Sequence, residues 1–299
     1  MEDVIARGLA ALVPGAERGS LVRDGRTLRW VTAGSGSPTA VLDAAVGTPS
    51  TTWAPILPAV AARTRVVAYD RAGLGASDPV RKLTVRSSVE DLHALLRAAG
   101  DGPCVLVGHS WGGLLAQLTA WTAPELVAGL VLVDPAHEDF QPWTGLIRDR
   151  LMLRRFVWRT QRGLLDDEVR ADAVETASAL TDDGRARDLF VAAELACYAQ
   201  PHQLRTVVVE NRLAARNVRM IRGLRARVPL PDVPVVVLSA TMGQSERMRA
   251  RWTALQGRIA TSVAQGEHIV VPEAGHYVHL SQPKVVADAV LSVVDRLPG

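Results

Sequence analysis

Apolar positions along the chain follow two alternating rhythms. Short β-rich runs occur at Thr39-Ala40-Val41-Leu42, Arg65-Val66-Val67-Ala68-Tyr69, Cys104-Val105-Leu106-Val107 and Gly129-Leu130-Val131-Leu132-Val133. Between them lie stretches of helical spacing near Trp53 to Ala62, Val85 to Ala99 and Gly112 to Ala123, the last stopping at Pro124. Strands apolar on both faces and separated by helices predict a parallel sheet covered on both sides. Upstream, Val4, Ile5, Leu9 and Leu12 mark a short amphipathic helix, and Leu21 to Trp30 reads as a hairpin turning at Asp24-Gly25. The sheet is therefore expected to start antiparallel.

From Glu138 to Arg227 the strand rhythm stops, and Ile147, Leu151, Val157, Leu164, Val174 and Leu195 fall within helix-like stretches rich in Arg, Asp and Glu. The rhythm resumes at Pro234-Val235-Val236-Val237-Leu238 and His268-Ile269-Val270-Val271, followed by a helix from Pro283 to Arg296. The pattern thus predicts a core of residues 1–137 and 228–299 interrupted by a helical insertion of residues 138–227. No internal repeat or low-complexity tract is visible.

Composition narrows the class of function. The 299 residues are 48% hydrophobic and 22% charged, which excludes disorder and allows a full core. The net charge is +3, and the basic residues are nearly all arginines interleaved with acids, Lys82 and Lys284 being the two lysines. Without a basic block or a helix-turn-helix or zinc spacing, nucleic-acid binding is not expected. Cys104 and Cys197 are too few and too far apart for a disulfide framework, which fits a reducing compartment. The N-terminus carries acids where a secretory signal needs basic residues, and no apolar run approaches the ~18 residues of a spanning helix. A cytoplasmic protein without membrane insertion is the expectation; the sequence sets no oligomeric state.

Candidate chemistry is concentrated in Val107-Gly108-His109-Ser110-Trp111-Gly112, where a buried strand runs through Gly-X-Ser-X-Gly into a helix. A sharp strand-to-helix turn needs small residues on both sides of the serine, and the turn projects the Ser110 hydroxyl. The helix that starts there aims unpaired N–H groups and a positive dipole end at the place where negative charge would develop. A serine hydroxyl needs a base, and the base needs an acid to orient it. His276, after Gly275 in the loop that leads to the Pro283 helix, is the candidate base; His279 on the same loop is weaker.

With these residues the sequence resembles the α/β-hydrolase family from about Leu21 to Leu297. Tyr69-Asp70-Arg71-Ala72-Gly73-Leu74-Gly75-Ala76-Ser77-Asp78 is similar to that family's Asp-X-Arg-Gly-X-Gly-X-Ser stretch. Gly108 to Gly112 is similar to its nucleophile elbow, and Ala274-Gly275-His276-Tyr277 to its histidine loop. The resemblance implies a mostly parallel sheet of about eight strands with a helical cap after the sixth. It also implies a triad of Ser110, His276 and an acid. The seventh strand, a common address for that acid, runs into Leu238-Ser239-Ala240-Thr241-Met242-Gly243-Gln244-Ser245 without a carboxylate. Asp134, ending the sixth strand, is favoured, and Glu246 is the alternative. The backbone N–H groups of Trp111 and Ala45 are the implied oxyanion donors, although Asp43-Ala44 stands where the family has His-Gly.

Other readings carry less. Asp70 and Arg71 with Gly73 and Gly75 lack the Lys-Ser/Thr of a phosphate loop and are expected to shape a turn. His137, Glu138 and Asp139 are expected to be solvated residues at the mouth of the cap, with no metal, and no cofactor is implied. Aromatic residues of the insertion, Phe140, Trp143, Phe156 and Tyr198 among them, are candidates for an apolar substrate pocket. The sequence therefore predicts a serine hydrolase acting on a carboxylester, thioester or lactone of a small, largely apolar molecule. Acyl transfer, cyclisation or C–C bond hydrolysis on the same triad, and a non-catalytic small-ligand receptor, are the alternatives. Epoxide hydrolase chemistry is disfavoured, because such relatives carry aspartate where this chain has Ser110.

Overall fold

The computed structural model describes residues 2–140, 143–243 and 245–297, with side chains over 4–140, 151–243 and 245–297. Strands β1 (Glu17–Arg23), β2 (Arg26–Ala33), β3 (Ala40–Asp43), β4 (Val66–Asp70), β5 (Cys104–His109), β6 (Val127–Val133), β7 (Val235–Ala240) and β8 (Gly266–Val271) form one sheet. Their order is β1-β2-β4-β3-β5-β6-β7-β8. The first two pairings are antiparallel and the rest parallel, as the alternation of strand and helix requires. The β1–β2 hairpin turns at Asp24 and Gly25, with φ of 49° and 72°. Both positive angles suit the tight turn that joins right-twisted strands.

Side-chain alternation sends successive residues of the central parallel strands into different cores. Val105, Val107, Val131, Val133, Val236 and Leu238 join a cluster on one face, and Leu106, Leu130, Leu132, Val235 and Val237 join a second cluster on the other. The first is covered by α2 (Leu57–Ala61) and α12 (Pro283–Asp295) through Leu57, Val60, Val286, Val290 and Val293. The second is covered by α3 (Val85–Ala99), α4 (Trp111–Thr122) and α10 (Glu246–Ala260) through Leu92, Leu95, Leu115, Leu118 and Ile259. Each buried aliphatic side chain contributes about 1.5–3 kcal/mol, so both faces drive the fold.

The α3 boundaries match the expected ones, and Thr84 caps it by accepting from the Ser87 N–H at 3.0 Å. The helix expected over Trp53 to Ala62 is shorter: a 3₁₀ turn at Ser50–Trp53 precedes α2. Pro55 and Pro58 have no N–H to donate, which breaks the longer helix the apolar spacing suggested.

Between β6 and β7 the chain forms α5 (Trp143–Thr160), α6 (Asp166–Leu180), α7 (Gly184–Ala199), α8 (Pro201–Arg216) and α9 (Val218–Arg227). The N-terminal helix α1 (Glu2–Ala11) packs against α7. A Cβ at Gly8 would lie 2.3 Å from the Ala193 Cβ, so this crossing needs a glycine. A short helix, α11 (Val278–Ser281), follows β8. Among the described residues no helix is long and apolar enough to cross a membrane.

Strand order fixes where a site can form. From β3 the chain crosses to β4 on one side, and from β5 it crosses to β6 on the other. Adjacent strands whose connections depart in opposite directions leave a crevice at their carboxyl ends, where ligands bind in open α/β sheets. Asp43, at the end of β3, pairs with Gly108 near the end of β5.

Candidate active site

Ser110 sits in that crevice between β5 and α4. Its φ of 52° and ψ of −111° are strained for a residue with a side chain, and such strain persists only where the surroundings over-determine it. They do so here by close packing. A Cβ at Gly108 would lie 2.5 Å from the Gly112 carbonyl oxygen, and one at Gly112 would lie 2.2 Å from that of Asp43. The Ser110 N–H donates to the Val133 oxygen at 3.1 Å, and the Ser110 carbonyl accepts from the Ala136 N–H at 2.9 Å. The elbow is thereby tied to the end of β6.

Asp134 follows directly on β6 and is also bent to positive φ, at 43°. Its Oδ2 lies 2.6 Å from the His276 Nδ1. Its Oδ1 accepts from the Ala240 N–H at 3.0 Å, the Trp252 Nε1 at 2.7 Å and the Gln256 Nε2 at 3.1 Å. Donors converging on a carboxylate this deeply buried replace the water an anion would otherwise need. Glu246, the alternative acid, is an exposed residue at the start of α10 and makes no hydrogen bond to His276 among the described residues.

The His276 side chain remains 43% exposed, so its Nδ1 is held while much of its ring stays open to solvent. Its backbone is fixed by His109, the neighbour of Ser110, whose Nε2 donates to the His276 carbonyl at 2.8 Å. Only a protonated Nε2 can donate, which leaves the buried His109 Nδ1 bare and without a partner. Burial and the neighbouring His276 and His279 push the His109 pKa far down, so this ring is a neutral spacer. His279 is fully buried against the Trp53 ring at 4.4 Å, with its Nε2 3.0 Å from the Thr52 hydroxyl. Burial lowers its pKa to about 3. No hydrogen bond joins Ser110 Oγ to His276 among the described residues; such bonds are commonly long before substrate arrives.

The loop after β3 is organised by a network that the sequence did not disclose. Arg71 donates through Nη1 to the Ala44 carbonyl at 2.7 Å and through Nη2 to that of Ala45 at 2.6 Å. The Ala44 carbonyl also accepts from the Gly112 N–H at 3.1 Å. Because a trans peptide directs its C=O and N–H oppositely, these bonds turn the Ala45 N–H away from Arg71. Trp111, the first residue of α4, presents an N–H that has no acceptor within its own helix. Arg71 is held by Asp43 and by Glu210 of α8, whose oxygens lie 2.7 and 2.9 Å from its Nε and Nη2. Glu210 Oε2 also accepts from the Gly47 N–H at 2.7 Å. Burial opposes the Arg71 charge, but the two carboxylates outweigh it and raise its pKa. Burial likewise raises Asp43, partly offset by Arg71 and the Tyr69 hydroxyl. The sequence signal available for Glu210 is a lone carboxylate after Val207-Val208-Val209 on a helix.

The remaining candidates are distributed around this centre. Asp70 accepts from the N–H groups of Ser50 at 2.7 Å and Ala76 at 2.8 Å, which makes it a turn-forming residue as expected. His137 and Glu138 are not solvated, as the sequence suggested, but buried. Their ligand-type atoms and that of Asp139 lie within 4.8 Å of one another, yet Arg225 grips both oxygens of Glu138 at 2.6 and 2.9 Å and Arg222 binds Asp139. Of the aromatic pocket candidates, Tyr198 lines a cavity of about 220 Å³ between the 48–55 loop, α6 and α7. Phe156 lies against the Tyr198 ring, 6.2 Å between centroids. Phe140 packs edge-on against Trp252 at 4.3 Å, beside Asp134. Trp143 lies outside the described side chains.

Comparison with known proteins points the same way as the fold. Lipase LipV of Mycobacterium tuberculosis is 46% identical over 71 residues, 24% of this chain and 27% of that protein. The uncharacterized protein YqjL of Bacillus subtilis is 38% identical over 113 residues, 37% of this chain and 45% of its own length. The chain therefore spans less than half the length of either relative. Among solved structures, Cfl2 from Burkholderia cenocepacia superposes with a TM-score of 0.71 at 22% identity, covering 94% of this chain and 96% of that one. The epoxide hydrolase CorEH gives 0.66 at 21%, covering 95% and 100%. At these identities the two structures share the fold. Residues 34–289 match the model of the alpha/beta hydrolase family, and the chain belongs to that family.

Proposed function

We propose that the protein is a serine hydrolase that cleaves an ester-like bond through an acyl-enzyme on Ser110. The observation that carries this reading is the 2.6 Å contact of His276 Nδ1 with Asp134, one peptide bond beyond the strand end to which Ser110 is tied. In this reading Asp134 holds the Nδ1–H tautomer, so His276 Nε2 is free to take the Ser110 proton as Oγ attacks the carbonyl carbon. The negative charge moves onto the carbonyl oxygen, where the N–H groups of Trp111 and Ala45 stabilise it together with the α4 dipole. His276 returns the proton to the leaving group. Water, activated by the same imidazole, then releases the acid. A serine at the elbow supports acyl chemistry over the alkyl-enzyme route of epoxide opening.

Residues 138–227 act in this proposal as the cap over a core of 1–137 and 228–299, with α1 clasping the cap through α7. The free, buried thiols of Cys104 and Cys197 suit a cytoplasmic setting. The reading is tested with p-nitrophenyl acetate or butyrate: replacing Ser110 by Ala should lower kcat/KM by about three orders of magnitude or more at unchanged folding. Turnover by Ser110→Ala at the wild-type rate would overturn it.

A further inference from the structure

The cavity that contains Tyr198 differs from the apolar pocket expected from the sequence. One wall is the 48–55 loop, which continues the chain from Ala45, and another is Tyr277, the residue after His276. The cavity's polar groups are acidic or neutral: Glu194 of α7, Asp172 of α6, and the hydroxyls of Thr48, Thr51, Thr52 and Thr176, with no Arg, Lys or His in the lining. Two further observations mark it as a binding site. Thr51 is 1% exposed, yet its hydroxyl faces the Glu194 carboxyl without a hydrogen bond of normal geometry. Glu194, partly exposed at the cavity wall, has neither an ion pair nor a hydrogen bond of normal geometry among the described residues, whereas the buried carboxylates Asp43, Asp70, Asp91, Asp134, Glu138 and Glu210 are all gripped by donors.

We propose that this cavity is a specificity pocket for a substrate arm ending in a protonated amine, held by the Glu194 carboxylate with Asp172 and the Thr51 hydroxyl beside it. This rests on the serine hydrolase reading and names the class of substrate for it. An ammonium donates without accepting, and it supplies the positive charge that Glu194 lacks. Without it, burial and the nearby carboxylates of Asp70 and Asp172 push the Glu194 pKa up to about 7, slightly offset by Thr51. Around Glu194, α6 contributes Asp172 and the end of β4 contributes Asp70. On α7 itself Cys197 and Tyr198 are uncharged, their pKa values raised by burial and by Glu194. Arg7 of α1 and His202 of α8 are not among the groups that move this carboxyl. Binding a cation at neutral pH should therefore expel a proton from the fraction of Glu194 that is protonated.

The test is calorimetric binding of hexylammonium and of uncharged 1-hexanol to wild type and to Glu194→Gln, at pH of about 8 and about 5.5. Wild type should prefer hexylammonium by about tenfold or more at the higher pH, and lose most of that preference at the lower. Glu194→Gln should show little preference at either pH. Equal binding of the two ligands by wild type at pH of about 8, or a preference unaffected by Glu194→Gln, would overturn the proposal. Because binding is read without turnover, failure of the hydrolase reading shows separately as absent hydrolysis of the neutral ester. If both stand, ω-aminoacyl or aminoalkyl esters should exceed their methyl-terminated counterparts in kcat/KM by a similar factor in wild type alone.

Discussion

Which carboxylate faces His276 decides the chemistry proposed for the crevice. Asp134 owes its place to its own positive φ, which bends the chain as it leaves β6 and brings Oδ2 to the imidazole while Trp252 and Gln256 occupy Oδ1. Asp134→Asn should cut kcat/KM by about three orders of magnitude with little loss of KM-type binding, whereas Glu246→Gln at an exposed helix start should change it less than about twofold. Steady-state kinetics of the pair decides, and the reverse ranking would remove Asp134 from the triad. Glu194 makes a different prediction, for stability. Its folded pKa of about 7 lies above the ordinary 4.5, so the native state holds a proton that the unfolded chain releases. That contribution is fully present below the unfolded value and is lost as pH rises through the folded one. Between pH of about 5 and about 8 the melting temperature of wild type should therefore fall further than that of Glu194→Gln. Parallel curves in differential scanning calorimetry would show that Glu194 does not titrate anomalously.

Among elements, the coupling of α8 to the loop after β3 is the feature that periodicity could not reveal. Asp43, Arg71 and Glu210 lie on β3, after β4 and on α8, and nothing local to any of them announces the other two. By contrast, the places of the elbow and of the histidine loop were legible because they are written in neighbouring residues: glycines where backbone must approach, and a glycine before the histidine proposed as base. Asp134 was legible for a related reason, since a carboxylate directly after a wholly apolar strand must lie at the strand's carboxyl end. Trp252 and Gln256, which support it, lie on one side of α10 and become informative only when that helix is docked. Breaking a buried pair by removing one partner costs about 3–5 kcal/mol, so Glu210→Ala should destabilise strongly. The informative variant is Glu210→Gln, which keeps the volume and weakens the grip on Arg71. If that grip sets the direction of the Ala45 N–H, kcat should fall by about tenfold or more with KM little changed, because an oxyanion donor acts on the transition state. A rise in KM at unchanged kcat would instead assign the network to holding the cap alone.

Alternating apolar runs sufficed to anticipate a parallel sheet covered on both faces, because strands β2 to β7 each contribute residues to both hydrophobic clusters. The crossing order of β3, β4 and β5 was not legible, since adjacent strands of similar composition can pair in more than one order until their helices pack. That order matters most for function: it brings the elbow, the loop after β3 and the end of β6 to one crevice, and leaves β8 free to return His276 from the far end of the chain. This crevice is proposed to make Ser110 a nucleophile. Incubation with a fluorophosphonate probe followed by intact-mass measurement and peptide mapping tests it directly. One adduct per chain is expected, located on Ser110 and suppressed in both Ser110→Ala and His276→Ala. A folded wild-type protein that takes up no probe, or carries it on another residue, would contradict it.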